Sequence, residues 1–238
     1  MTNLRVIRSM VSLKKQVVES LRAAIFEGRF KPGDRLVERE ICELLDVSRT
    51  LLREALSQLE AEGIIRIIPH RGPIVAVYTV EEARAIYELR AALEEMAGRL
   101  FVERATDKER KDLEVAFAEL KLAYKGRQQR NRLAVKSSFY AALCAGAHNP
   151  VLVEMLRLIH GRVTMLRAKT LAQPGRLSLS VAELKDIVQA IKRRDADAAA
   201  AACRRHVMNA SAVASSLMSD EESEASATPK RSRAAQGR

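Results

Sequence analysis

The residues whose types and spacing could do chemistry in this chain of 238 lie close together, in Ser48-Arg49-Thr50-Leu51-Leu52-Arg53-Glu54-Ala55-Leu56. Arg49 and Arg53 stand four apart, so a helix would set both guanidinium groups on one face, with Ser48 suited to cap its start. Donors at the leading end of a helix can reach base edges and phosphates in a DNA groove. Ala55, Leu56 and Leu59 follow as an apolar stripe that would dock the same helix on a core. Taken alone, two arginines on a helix are as readily an ordinary solvated face. The decision rests on what surrounds them.

Leu13, Val17, Leu21 and Ile25 recur every fourth residue and predict an amphipathic helix over about 13–27, closed by Gly28. Phe30-Lys31-Pro32-Gly33-Asp34 reads as a turn. Residues 37–45 predict a short second helix, with Ile41, Leu44 and Leu45 inward and Glu38, Arg39 and Glu43 outward. Asp46-Val47 then turns into Ser48, and Gly63 should stop the arginine-bearing helix. Two β-rich runs, 64–68 and 73–77, bracket Pro69-His70-Arg71-Gly72 and predict a hairpin with a basic tip. These elements in this order make a winged helix-turn-helix, whose hairpin is the wing that reaches a neighbouring groove.

Residues 13–77 resemble the winged-helix domain of the GntR transcription regulators. The resemblance lies in Gly28-x-Phe30-x-Pro32-Gly33-x-x-Leu36 and in Ser48-Arg49-Thr50-x-x-Arg53-Glu54-Ala55-Leu56. It implies DNA contacts at Arg39, Ser48, Arg49, Thr50 and Arg53 on the helices, and at His70, Arg71 and Gly72 in the wing. The chain departs from the family at Leu51, where a Thr-Pro pairing is commoner. Leucine donates no hydrogen bond, so no base reading is expected there.

Length suits two domains. The net charge is +11, yet the first 77 residues carry only 13 Lys and Arg against 10 Asp and Glu. Most of the surplus therefore lies further along, where it either keeps the protein soluble or marks a site for an anionic effector. Cys42, Cys144 and Cys203 lack metal-ligand spacing and suit a reducing cytoplasm. With no apolar run of about 18 residues and no signal-peptide core, a soluble cytoplasmic protein without a membrane role is expected.

From Thr79 onward glycine and proline are scarce, and Thr79-x-x-Glu82, Thr106-x-x-Glu109 and Ser180-x-x-Glu183 each have the form of a capping box. Asn149-Pro150 and Asp195 also suit helix starts. Helices are predicted near 80–104 (with a break possible), 107–125, 128–146, 150–171, 181–194 and 196–217. The fold class is thus mainly α: a winged helix-turn-helix at 13–77, then an all-helical bundle at 78–217. Residues 1–12 are expected to be an N-terminal arm, and 218–238, poor in hydrophobes, a disordered tail.

The bundle resembles the FCD effector-binding domain of the FadR-type branch. The match rests on Tyr87-Glu88-Leu89-Arg90-x-x-Leu93-Glu94, on Phe139 to Asn149-Pro150, on Ile187-Val188-x-Ala190-Ile191-x-x-x-Asp195 and on His206. Many such domains hold a divalent metal through an Asp and a His one turn apart plus two later histidines. Here those positions fall on Lys136, Tyr140 and Leu184, and only His206 is kept. One imidazole beside an ammonium cannot hold a cation, so no metal and no other cofactor is expected.

Lys136 and Tyr140 are i and i+4 and share one helix face. If that face lines the cavity, the ammonium replaces the metal and binds an effector carboxylate, helped by Tyr140, His206 and Arg90. If Lys136 points to solvent, the cavity is vestigial or apolar. Arg162 and Arg167, on the helix that starts near Pro150, either add to the pocket or, more commonly for arginine, face solvent; His148 and His160 read as helix-end or surface residues. The whole chain reads as a DNA-binding transcription regulator, a repressor in the family's commoner mode, working as a homodimer on a palindromic operator of double-stranded DNA. The alternative is a DNA-binding dimer whose helical domain only dimerises and takes no effector. No nucleophile pattern or cofactor lysine supports an enzyme.

Overall fold

The structure, a computed structural model, describes residues 8–126 and 129–227. Helices α1 (Arg8–Phe26), α2 (Glu38–Leu45) and α3 (Arg49–Ala61) and strands β1 (Ile65–Ile68) and β2 (Gly72–Val75) form the first domain. The four-residue repeat of α1 places Val17, Leu21 and Ile25 against Leu52, Ala55, Leu56 and Leu59 of α3, and Ile41, Ile64 and Val75 close that core. Two expected core residues are not in it. Leu13 is 44% exposed and Leu44 64% exposed. Helix α2 spans only eight residues and buries Ile41 alone. The arm was expected to run to residue 12, but α1 already begins at Arg8; residues 1–7 lie outside the described residues.

The strands pair antiparallel with Ile65 opposite Val75 and Ile68 opposite Gly72, so the turn between them is Pro69-His70-Arg71. His70 and Gly72 both take positive φ, 61° and 82°. Glycine does this without cost, whereas histidine at the tip is in a sparsely populated conformation.

The second domain is α4 (Val80–Arg104), α5 (Asp107–Lys125), α6 (Gln129–Gly146), α7 (Pro150–Leu171), α8 (Arg176–Lys192) and α9 (Ala196–Ala227). Reciprocal capping boxes start α4 at Thr79 and α5 at Thr106, while Asn149 caps α7 with Pro150 behind it. Helix α4 is unbroken. It packs along α9 closely enough that a Cβ on Gly98 would meet the Cys203 sulfur at 2.7 Å.

Two boundaries differ from the sequence reading. Helix α8 begins at Arg176 instead of 181, and Ser180 is buried inside it rather than capping it. Helix α9 continues past 217 to Ala227, because Met218 packs with Val80, Tyr87 and Ala214, and Glu221 pairs with Lys169 at 2.5 Å. The expected tail is therefore helical over 218–227, and 228–238 lie outside the described residues.

The domains meet where α7 lies against the end of α3. A Cβ on Gly161 would come within 2.4 Å of the Glu62 carbonyl oxygen, so only glycine permits this approach. Met165 of α7 packs into the first domain's core, and the Tyr78 hydroxyl donates to the Gly63 carbonyl. Arg22 of α1 grips Glu62 from the first-domain side with bonds of 2.9 and 2.7 Å. These contacts set α3 directly on a helix of the bundle.

Candidate DNA-binding face and buried cation cluster

Ser48 caps α3, accepting a hydrogen bond from the Leu51 amide at 3.3 Å. The cap leaves Arg49, Thr50 and Arg53 exposed on the first turns while Leu51, Leu52, Ala55 and Leu56 are buried behind them. Arg39 on α2 and His70 and Arg71 at the wing tip are exposed as well, and Gly72 is half-buried. The Leu51 side chain belongs to the core and leaves no gap in the exposed face. Arg53 is 70% exposed and donates from Nε to Glu38 Oε2 at 3.0 Å. A solvated pair of this kind is worth about 0–1 kcal/mol, little enough for DNA phosphate to displace it. The glutamate's part was not legible in the sequence, since the two residues meet only when α2 and α3 cross.

The second domain holds its charge inside. Arg90 and Glu94, one turn apart on α4, form an ion pair at 2.6 Å with each nearly fully buried. Arg90 also donates from Nη2 to the Tyr140 hydroxyl at 2.9 Å. Lys136, only 2% exposed, donates to Ser180 Oγ of α8 at 2.9 Å, so its side chain does not reach solvent. Burial, and then the guanidinium groups of Arg167, Arg90 and Arg176, hold its pKa well below the usual lysine range. His206 of α9 is buried and lies against Glu183 Oε2 through Nδ1 at 2.5 Å. A carboxylate there fixes the proton on Nδ1 and leaves Nε2, which has no hydrogen-bond partner, as a free acceptor. Arg176 completes that group with two bonds to Glu183, at 3.0 and 2.9 Å.

The four residues singled out in the sequence, Arg90, Lys136, Tyr140 and His206, thus come together. Arg90 and Tyr140 line a cavity of about 420 Å³ between α4, α6 and α7; Lys136 and His206 are buried close by but are not among its lining residues, the His206 ring standing 6.4 Å from that of Tyr140. For Arg167 the sequence favoured the surface and left a place in the pocket open. It is 5% exposed, lines this cavity together with Glu94, and stacks on the Tyr140 ring at 4.9 Å without a salt bridge to a carboxylate. His160 sits at the mouth, where burial of part of its ring and the nearby Arg167 pull its pKa down to about 4. His148 ends α6 in solvent against Glu109 at 3.0 Å, as its position suggested.

The donor set left for a metal is poor. Lys136 is committed to Ser180, Tyr140 accepts from Arg90, Leu184 is buried carbon, and His206 offers one nitrogen. Such a set does not fit the family's divalent cation.

Two family models match this arrangement. Residues 13–75 match the bacterial regulatory proteins of the gntR family, and residues 85–209 match the FCD domain. The chain belongs to the GntR family of transcription regulators, in the group that carries an FCD domain. A relative 26% identical over 194 residues, spanning 81% of this chain and 85% of its own length, is the HTH-type transcriptional regulator YdhC of Bacillus subtilis (strain 168). The galactonate operon transcriptional repressor of Escherichia coli (strain K12) is 26% identical and covers 77% of this chain and 89% of itself. Among solved structures, E. coli McbR/YncC superposes with a TM-score of 0.71 at 23% identity, over 88% of this chain and 98% of that one, and shares the fold. Family and relatives are regulators and not enzymes, and no described helix is long and apolar enough to cross a membrane.

Proposed function

We propose that this protein is an effector-controlled repressor, a homodimer that reads a palindromic operator and responds to a small organic acid without a metal ion. Arg49 and Arg53 are assigned to base edges or phosphate, Arg39 to phosphate, Ser48 and Thr50 to the front of the helix, and His70, Arg71 and Gly72 to the adjoining groove. The observation that carries this reading is the division of α3, with guanidinium groups in solvent at its capped front and an unbroken buried face behind. Repression is supported by the relative named for repressing a galactonate operon.

The effector part is supported by the cavity between α4, α6 and α7 and by the surplus of buried cations over carboxylates beside it, Arg90, Arg167 and Lys136 against Glu94. A domain that only dimerised would gain nothing from burying the Arg167 guanidinium without a salt-bridge partner of its own. Entry of an acid would draw α7, through Arg167, toward α4 and α6. Helix α7 also carries Gly161 and Met165 against the first domain, so the shift would bias the placement of the two recognition helices.

Footprinting on the DNA upstream of the protein's own gene would supply the operator. Arg49→Ala and Arg53→Ala are then expected to cost about 1–3 kcal/mol on that operator if they read bases, with a smaller loss on random DNA. Equal losses on both would assign them to phosphate, and unchanged binding for both variants would overturn the assignment of α3 as the recognition helix.

A further inference from the structure

Three arginines face solvent from α2 and α3, and only one of them has a carboxylate beside it. Arg39 and Arg49 make no hydrogen bond or ion pair among the described residues. Arg53 donates from Nε to Glu38 Oε2 at 3.0 Å, and the glutamate is the more covered of the two, at 28% against 70% exposed. Glu38 opens α2 and has no other partner among the described residues. An acid in the first turn suits the helix dipole, and Glu40 serves that turn as well. The dipole does not account for a carboxylate turned onto the arginine of another helix.

Which nitrogen is bonded matters. A guanidinium has two edges that carry a pair of donors, Nε with one terminal amine, or the two terminal amines together. The bond to Glu38 occupies Nε and leaves both terminal amines without a partner. Those two amines can meet the O6 and N7 of a guanine side by side. A phosphate drawn to Arg53 would lie close to the Glu38 carboxylate and be repelled by it, whereas a guanine edge carries no charge. The pair is weak enough for phosphate to break, but guanine can be met without breaking it.

We propose that Glu38 is a positioning residue for base reading: it aims the terminal amines of Arg53 at a guanine and leaves phosphate to the unpartnered Arg39 and Arg49. This rests on the reading of α3 as the recognition helix and adds a residue from outside that helix. Removing Glu38 acts on two affinities in opposite directions. The operator loses a contact arranged in advance, worth up to about five-fold for a solvated pair. Random DNA loses a repelling charge and gains a free guanidinium for its phosphates. The ratio of the two affinities therefore carries the effect.

The test measures affinities of the full chain for the footprinted operator and for a random duplex of equal length, over a series of salt concentrations. Operators carrying 7-deazaguanine at one guanine at a time, which keeps base pairing and lacks the N7 acceptor, locate the base that is read. Wild type is expected to lose about five-fold or more at one such guanine, and Arg53→Ala to lose nothing further there. Glu38→Ala should keep only part of that penalty, bind random DNA more tightly, and steepen its salt dependence by up to about 0.9 in log–log slope. Glu38→Gln keeps an accepting oxygen without the charge, so it should retain the penalty at that guanine while also gaining affinity for random DNA. A full penalty in Glu38→Ala would overturn the positioning role and spare base reading by Arg53. A penalty that persists in Arg53→Ala at every guanine would take Arg53 off guanine and overturn the proposal, with α3 still in the groove. Operator affinity unchanged in both Arg49→Ala and Arg53→Ala would overturn the reading of α3 itself.

Discussion

Arg167 shows how much a single buried side chain can reveal about a missing partner. Its guanidinium is desolvated and repelled by Arg90, and both effects lower its pKa from the usual arginine value. The Tyr140 face returns about 0.5–2 kcal/mol, which does not cover the burial of a full charge. Arg167→Met keeps much of the volume and removes the charge. It is expected to raise the stability of the ligand-free protein by about 1–4 kcal/mol while abolishing acid binding, seen as a higher denaturation midpoint that no longer responds to small organic acids. A lower midpoint would mean that Arg167 is structural and already satisfied. The sequence exposed Arg90, Lys136, Tyr140 and His206 through a family resemblance. Arg167 was given only as a possible addition to the pocket, because an arginine on a helix normally points to water. Only its place on the face of Ile159, Val163 and Thr170, all buried, could have marked it. Glu94 carried a similar signal, in line with Ala83, Tyr87, Ala91 and Ala97 on the stripe that α4 buries.

Helices α8 and α9 are joined by one carboxylate. Glu183 accepts from Arg176 on its own helix, and across the gap it meets His206 Nδ1 at 2.5 Å and Asn209 Nδ2 at 2.9 Å. Burial pushes its pKa up, but the bonds from His206, Arg176 and Asn209 win and bring it down to about 2 from the ordinary 4.5. A depressed carboxylate contributes stability that is fully present above the ordinary value and drains away as pH falls toward the folded one. Urea midpoints from about pH 5.5 down to about pH 3 should therefore fall more steeply for wild type than for Glu183→Gln. Parallel curves would show that the clamp does not depend on the ionised form.

The same residue explains why the start of α8 was misread. Ser180-x-x-Glu183 has the spacing of a capping box, and local spacing cannot tell a cap from two polar residues turned into a core. At Thr79 and Thr106, where both reciprocal bonds of the box form, the same pattern was read correctly. The extension of α9 was missed for a related reason. Residues 218–227 show almost no hydrophobic periodicity, and the helix is anchored by Met218 and by an ion pair to Lys169, both long-range contacts.

At the scale of the whole molecule, the proposed regulation needs a mechanical connection between the cavity proposed to take an acid and helix α3, and α7 is placed to supply one. Along a single helix it presents Val163 and Arg167 to the cavity, Gly161 to the backbone of Glu62 and Met165 to the first domain's core. Elsewhere between the domains a cleft of about 650 Å³, flanked by Phe30, Tyr78 and Met218, leaves room for the first domain to tilt. The seam therefore has contact at one edge and space at another, and a ligand would move it only by favouring one position over the other. Gly161→Ala tests the connection. The new methyl would lie 2.4 Å from the Glu62 carbonyl and 2.9 Å from Ile64 Cγ1, forcing α7 off the end of α3. Alanine is better than glycine inside a helix by about 1 kcal/mol, so α7 itself should not unravel. Operator affinity without acid is expected to change by only a few-fold, because Arg49, Arg53 and their cap are untouched. Acid affinity should also survive. What should shrink is the ratio of operator dissociation constants with and without saturating acid, from a coupling of about 5- to 150-fold toward unity. Fluorescence anisotropy on a labelled operator, using the small organic acid that binds tightest, measures that ratio directly. An undiminished ratio would mean that the signal crosses by the linker into α4 instead, and that the glycine contact serves packing alone.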